Sequence, residues 1–302
     1  MGRVQFARYH SALVWRRPSR TLAHVAGSPF LDARSPFTPY ECAKMVVMAP
    51  LALMRWVAIL CLINVANGVA WLALQFRDTA PFDAALVGIA RLMAVAATLS
   101  VDTVGLQHLR QAERCVLVFN HVSVCDFLVL LRFGVFAFVT RDSFSRIPMT
   151  RYLNEYVRCV FLRSGEIGAA TAIAARIRRE DAPRLAIAPE GTLSNGSCLL
   201  RFKTGAFVAR APVLPVVLSY PFRHHNPAWT VETHVAFKLL RILSQLVTPV
   251  RVEFLPLMHP LDDETVPEFA QRVRCVMAAA LAVPLVELDE SDRQRVEAHA
   301  RI

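Results

Sequence analysis

The chain has 302 residues, a formal net charge of +10 and 55% hydrophobic residues, with a mean hydropathy of +0.38. Such hydropathy is high for a soluble domain, and the length accommodates one domain of ordinary size plus a membrane segment. The charge calls for an anionic partner; without a nucleic-acid module or a basic stripe interleaved with aromatics, that partner is expected to be a membrane or a phosphate-bearing substrate, not nucleic acid. The seven cysteines are scattered without a CxxC pair, which argues against a zinc site or a disulfide framework. No GxSxG element is present, which argues against a serine hydrolase of that type.

Taken in chain order, Met1 to Leu31 holds Arg3, Arg8, Arg16, Arg17 and Arg20 and no acidic residue. This predicts a disordered basic leader near anionic lipid, with a cleavable organelle-targeting peptide as the alternative. Cys42 to Phe76 is almost unbroken apolar sequence, charged only at Lys44 and Arg55. At ~1.5 Å per helical residue, Trp56 to Phe76 is long enough for a hydrocarbon core of ~30 Å. Asn64 and Asn67 also permit a re-entrant hairpin with Met45 to Met54. A second apolar run, Phe82 to Val101, carries Arg91 near its middle, which predicts an interfacial helix packed on the domain that follows.

From Gly105 onward strands and helices alternate. Strands are predicted at Val116–Phe119, Val135–Val139, Val157–Leu162, Leu185–Ala188, Val213–Leu218 and Arg251–Leu255. Helices are predicted at Val124–Arg132, Ser143–Glu155, Ile167–Arg179, His234–Leu246 and Val266–Ala282, the last opened by Thr265 and Glu268 as a capping box with Pro267 in the first turn. The expected fold class is α/β, a mixed sheet covered by helices, with an N-terminal membrane-embedded helix or hairpin. The expected division is a leader at 1–41, membrane-anchoring and interfacial helices at 42–101, the main domain at 102–283 and a charged tail at 284–302.

Chemistry concentrates in four short segments. In Asn120-His121-Val122-Ser123-Val124-Cys125-Asp126 a base and a carboxylate sit five residues apart on a predicted strand-to-helix turn. A neutral imidazole takes a proton from a hydroxyl near neutral pH, and a carboxylate on its other nitrogen fixes the tautomer and stabilises the imidazolium. Taken alone, the pair is better read as a helix-capping His and a solvated first-turn acid; the three segments downstream reverse that preference. In Phe161-Leu162-Arg163-Ser164-Gly165 an Arg leaves a strand end, placed for a bidentate phosphate contact. In Ala188-Pro189-Glu190-Gly191-Thr192 a Gly turn offers amides, a carboxylate and a hydroxyl for polar recognition. Pro212-Val213-Leu214-Pro215-Val216-Val217 reads as an edge or barrel-like strand.

The order and spacing of these blocks resemble the glycerolipid acyltransferase superfamily, marked by NHxxxxD, arginine, PEGT and P-V-x-P-V blocks. The resemblance spans roughly Leu106 to Pro260. Leu193 stands where many phosphatidic-acid-forming members have Arg. Asn195 to Phe207 and Pro215 to Pro221 resemble the lysophosphatidylcholine and lysophosphatidylethanolamine acyltransferases. The resemblance implies acyl transfer from acyl-CoA, as co-substrate, to the free hydroxyl of a lysophospholipid, with His121 as base and Asp126 as its partner and no acyl-enzyme. It also implies substrate contacts from Asn120, Ser123, Arg141, Arg163, Glu190, Gly191 and Thr192. No cofactor, metal or calcium-binding EF-hand is expected. Partners are the two substrates and membrane lipids. The expected location is the endoplasmic reticulum membrane, or else a mitochondrial one. Alternatives are phosphatidic acid synthesis from lysophosphatidic acid, against which Leu193 counts, and a catalytically silent membrane scaffold, against which the His121–Asp126 pair counts.

Overall fold

The computed structural model describes residues 28–300 apart from 33–34, 36, 164–165, 167, 180–181 and 232–233. Most of the predicted leader, and Ser164 and Gly165 of the arginine block, lie outside the described residues.

The elements in chain order are α1 (Pro39–Ala73), α2 (Ala80–Ala96), β1 (Leu99–Val104), α3 (Leu106–Gln111), β2 (Val116–Phe119), α4 (Cys125–Leu131), β3 (Ala137–Arg141), α5 (Arg151–Val157), β4 (Val160–Leu162), α6 (Ala169–Ile177), β5 (Leu185–Ile187), β6 (Val213–Ser219), α7 (Val235–Leu243), β7 (Thr248–Phe254), α8 (Val266–Leu281) and α9 (Glu290–Ala300). The strands form one seven-stranded sheet in the order β1-β7-β6-β2-β5-β3-β4. Every neighbouring pair is parallel except β6 and β7. The expected mixed α/β sheet is therefore the observed one.

Strand periodicity builds the two cores. In β2, Leu117 and Phe119 face a cluster that includes Val129 and Leu130 of α4 and Val252 and Phe254 of β7. Val116 and Val118 face the opposite cluster with Ile173 of α6 and Phe269, Val273 and Met277 of α8. Both faces are covered, so the central strands are continuously apolar rather than alternating. Each fully buried Leu or Phe contributes on the order of 1.5–3 kcal/mol relative to exposure.

Differences from the expected elements have local causes. The apolar run Phe82 to Val101 does not stay helical: α2 ends at Ala96, Thr98 takes a left-handed φ of 62°, and β1 then pairs with β7 from Leu99↔Thr248. Apolarity alone does not separate a buried strand from a buried helix. Val157 closes α5, and Arg158 (φ 56°) turns the chain, so β4 is only Val160–Leu162. Pro148 splits the predicted helix Ser143–Glu155 into two 3-10 turns and α5. β6 is central, not an edge, despite Pro215. The Pro215 carbonyl accepts the Leu255 amide, but Pro215 has no N–H to return that bond, and the β7 ladder begins one residue on, at Val216.

α1 is one continuous helix running through Pro50, not a hairpin. At ~1.5 Å per residue, its 35 residues extend about 52 Å. It is the one helix among the described residues long and apolar enough to cross a membrane, and only 6% of its most apolar stretch is buried. Its few polar side chains dock it on the domain. Glu41 pairs with Arg241, Lys44 donates to Gln245, and Arg55 donates to the carbonyls of Leu243 and Gln245 at the C-terminal end of α7. Toward its other end, the Asn67 carbonyl accepts from the Tyr152 and Leu153 amides and so caps α5. Asn67, which opened the hairpin alternative, thus fixes the helix to the domain.

Candidate active site

Strands β2 to β6 all run the same way, so their C-terminal ends share one edge of the sheet. Ligands of open α/β sheets bind at such an edge. β2 ends into Asn120 and His121, β3 ends at Arg141, β4 is followed by Arg163, and β5 leads into Pro189 and Glu190. Three of the four segments singled out in the sequence, together with Arg141, thus reach the same edge by parallel pairing, while the fourth, Pro212 to Val217, makes up most of β6 itself.

Asp126 is fully buried at the start of α4. His121 Nδ1 lies 2.8 Å from Asp126 Oδ2, and the same oxygen accepts the Val122 and Ser123 amides at 2.8 and 3.0 Å. The Tyr220 hydroxyl donates to Oδ1. A carboxylate in this role only accepts, so Nδ1 carries the proton and Nε2 keeps a lone pair. Phe119 and Phe127 present edges to the imidazole at centroid distances of 6.0 and 5.2 Å. They hold the ring between apolar walls. The spacing of five residues works because the intervening turn aims two amides back at the carboxylate that also holds the base.

Tyr220 was not among the expected site residues. Its signal was a polar-tipped aromatic just past the end of an apolar strand, but its partner lies 94 residues away. Burial first, and then the charge of Asp126, push the Tyr220 phenol well above its ordinary range. It therefore remains a donor.

The remaining expected residues occupy different environments. The Asn120 side chain is spent on the backbone of Leu218, donating to its carbonyl at 2.9 Å and accepting its amide at 2.8 Å. It stitches β2 to β6 rather than facing a substrate. Ser123 is fully buried and its hydroxyl accepts the Cys125 amide. Glu190 is buried too: Oε1 accepts the His121 amide at 2.8 Å and Oε2 the Leu200 amide at 3.0 Å. It is a brace between the His121 turn and the loop after Thr192. Burial pushes its carboxyl up to about 7, against the pull of those two amides and of Arg274. Gly191 has φ +66°, and a side chain there would strike Lys203, a Cβ coming 2.6 Å from Nζ. The Thr192 hydroxyl oxygen is buried without a partner among the described residues.

Arg141 and Arg163 lie on the exposed rim of the edge. Arg141 pairs with Glu290 at 2.8 Å, and Arg163 Nε is 3.6 Å from Asp142. Lys203 also pairs with Glu290, at 2.9 Å, and Arg201 with Asp289. These last acids belong to the segment expected only as a charged tail. Cys125, inside the first block, has its thiol pushed up to about 12 by burial and is no nucleophile. Asn195 of the sequence Asn195-Gly196-Ser197 is buried and donates to the Leu31 carbonyl at 2.9 Å, so the folded chain offers no glycan acceptor there.

Residues 100–219 match the family model Acyltransferase. A lysophospholipid acyltransferase of Arabidopsis thaliana is 34% identical over 189 residues, covering 59% of this chain and 47% of that protein. Lysophosphatidylcholine acyltransferase 1 of Danio rerio is 36% identical over 156 residues, covering 49% of this chain and 30% of that protein. The chain thus spans less than half the length of these curated relatives. The crystal structure of the 1-acyl-sn-glycerophosphate acyltransferase PlsC from Thermotoga maritima has the same fold, with a TM-score of 0.62 at 18% identity over 79% of this chain and 96% of that one.

Proposed function

We propose that this chain, whose residues 100–219 belong to the Acyltransferase family, transfers an acyl group from acyl-CoA to the free hydroxyl of a lysophospholipid. The observation that carries this is the buried Tyr220–Asp126–His121 chain of hydrogen bonds, ending in an imidazole nitrogen with a free lone pair. His121 Nε2 takes the acceptor hydroxyl's proton as the oxygen attacks the thioester carbonyl carbon. The carbon–sulfur bond breaks, and the imidazolium returns that proton to the departing CoA thiolate. Asp126 stabilises the transient imidazolium without itself being protonated. The two residues make up the catalytic pair, while Asn120, Ser123 and Glu190 position it. Arg163 and Arg141 on the rim supply charge for phosphate, and Gly191 and Thr192 line the way to the acceptor.

The reaction belongs at a membrane surface. α1 is fastened to the domain toward both ends, and its outer face exposes Val47, Leu53, Met54, Val57 and Trp71. A helix held in that way brings its apolar outer face into the membrane with the domain docked beside it. The endoplasmic reticulum is the proposed membrane, with a mitochondrial membrane as the alternative.

The acceptor is lysophosphatidylethanolamine or lysophosphatidylcholine. Leu193 offers no side-chain charge beside the Glu190–Thr192 turn, and its carbonyl is held by Arg293 at 2.6 Å. A phosphomonoester dianion needs more countercharge than a phosphodiester. Competition among these lysolipids and lysophosphatidic acid, with one acyl-CoA and isolated membranes, tests this. Higher kcat/KM for the choline or ethanolamine lysolipid is expected. Preference for lysophosphatidic acid transfers the assignment to phosphatidic acid synthesis, and no transfer to any of them removes the enzymatic reading.

A further inference from the structure

Cations set to receive phosphate should present free N–H groups to solvent, yet three of them around the Glu190–Thr192 turn are already engaged. Arg141 from the end of β3 and Lys203 from the loop after the turn reach the two carboxylate oxygens of Glu290, at 2.8 and 2.9 Å. Arg201 pairs with the neighbouring Asp289. Two consecutive acids from the far end of the chain therefore sit on three cations drawn from two other segments. A carboxylate presents to a guanidinium the same oxygen edge that a phosphate does.

The geometry ties this cluster to the catalytic corner. The Lys203 amide donates to the Pro189 carbonyl at 2.7 Å, and its ammonium lies against Gly191. Glu190, between those two residues, holds the His121 amide. The cluster is thus one turn away from the proposed base. It is also not what holds α9 in place. Val296 of α9 packs with Phe30 and Leu200, and Arg293 donates to the Leu193 and Trp229 carbonyls. The three cationic side chains are 57–61% exposed. Their acid partners Asp289 and Glu290 are 26% and 14% exposed, so it is at the cations that water and a competing anion reach these pairs.

We propose that Arg141, Arg201 and Lys203 form one phosphate-binding site, and that Asp289 and Glu290 occupy it as a built-in competitor. The proposal rests on the acyl-transfer reading, because it takes the phosphate to be that of a reactant. The ligand is a phosphate ester, carried either by the lysolipid or by CoA. With three positive charges facing two negative ones, exchanging the pair of carboxylates for the 3′-phosphate dianion of CoA leaves the net charge unchanged, and exchanging it for the phosphodiester monoanion of a lysolipid leaves the site one charge more positive. The resident acids raise the substrate concentration needed for turnover, and anything that draws the 289–290 segment away lowers it.

The test uses the full chain in phosphatidylcholine vesicles and compares Glu290→Gln and Asp289→Asn/Glu290→Gln with the unaltered protein. Calorimetric binding of CoA, dephospho-CoA, lysophosphatidylethanolamine and lysophosphatidic acid is measured beside acyl-transfer KM. Both variants should bind one of these phosphate esters about 3- to 10-fold more tightly, with KM for that reactant falling in proportion. A gain for CoA that dephospho-CoA lacks assigns the site to the donor's 3′-phosphate. A gain confined to lysolipids assigns it to the acceptor. Arg201→Gln/Lys203→Gln should weaken the same ligand several-fold. Unchanged or weaker binding of every ester in both acid variants, with melting temperatures preserved, overturns the proposal. So does unchanged binding in the double-cation variant. Because binding needs no turnover, tighter binding without any acyl transfer leaves the phosphate site standing and removes the acyl-transfer reading instead.

Discussion

The buried His121 corner and the cationic rim share one edge of the sheet but hold their charges in opposite ways. In the corner, His121, Asp126, Glu190 and Tyr220 are buried, and Asp126 and Glu190 accept from fixed backbone amides. On the rim, Arg141, Arg163, Arg201 and Lys203 are more than half exposed and, among the described residues, their side chains pair with other side chains. Buried charge is preorganised: low dielectric strengthens each bond, and loss of one partner strands the other. Rim charge is exchangeable, because water and salt compete for it. The proposed acyl transfer needs both, a fixed base for chemistry and yielding cations for substrates that must come and go. Changes in the corner should therefore hit rate or stability, and changes on the rim should hit KM and salt dependence.

The comparison is tested most severely at His121. His121→Ala should lose ~10² to 10⁴ of kcat while the protein folds and reaches membranes. Near-normal turnover by the folded, purified variant removes the base from the corner.

Glu190 gives the corner a pH signature. Its carboxyl is raised to about 7, first by burial, while in the unfolded chain it titrates near its ordinary value. The folded state then binds the proton more tightly. Its contribution is fully present below the unfolded value and is lost as pH rises through about 7. The loss is bounded at about 3.5 kcal/mol, from ~1.4 kcal/mol per unit. Melting of the unaltered protein and of Glu190→Gln between about pH 4.5 and 8.5 measures it. The unaltered protein should lose ground to the variant as pH rises. A pH-independent difference would mean that the two amides, not burial, set the carboxyl.

Tyr220→Phe is milder. It leaves the buried Oδ1 of Asp126 without its donor, which costs about 1–3 kcal/mol. Thermal melting should record the loss, and a fall in kcat should accompany it because Asp126 holds the base. Unchanged stability and rate would make the Tyr220–Asp126 bond incidental.

How much of this was legible in the sequence follows from how local each cause is. β2 and β6 were readable because they are buried on both faces and bounded by turns. α8 was readable because Thr265 and Glu268 form the capping box that their spacing predicts. The His121–Asp126 contact was readable because both partners lie within one turn. β1 was hidden inside an apolar run, where only the backbone turn at Thr98 ends the helix. Glu190 looked like a substrate ligand, since nothing in Pro-Glu-Gly-Thr indicates that the carboxylate faces inward toward the His121 and Leu200 amides. Asn67 looked like a break in an apolar span, because its partner is the start of a helix 85 residues away. Tyr220, Asp289 and Glu290 were missed for the same reason: their roles exist only once distant segments are brought together.

The smallest effect is expected at Arg163, and it separates rim from corner most cleanly. Its side chain is 78% exposed, and its Nε lies 3.6 Å from the Asp142 carboxylate. Arg163→Ala should therefore change stability by no more than about 0.5 kcal/mol. If the guanidinium meets substrate phosphate through two N–H groups, Arg163→Lys keeps the charge and loses the fork. KM for lysolipid should then rise several-fold in the Lys variant and further in the Ala variant, with kcat close to unaltered in both. Added salt should narrow the gap between the unaltered protein and either variant, because the contact is screened. A loss of kcat without a change in KM would instead assign Arg163 to the corner's chemistry. No change in either constant would make it a solvated surface side chain, leaving phosphate recognition on this edge to Arg141, Arg201 and Lys203.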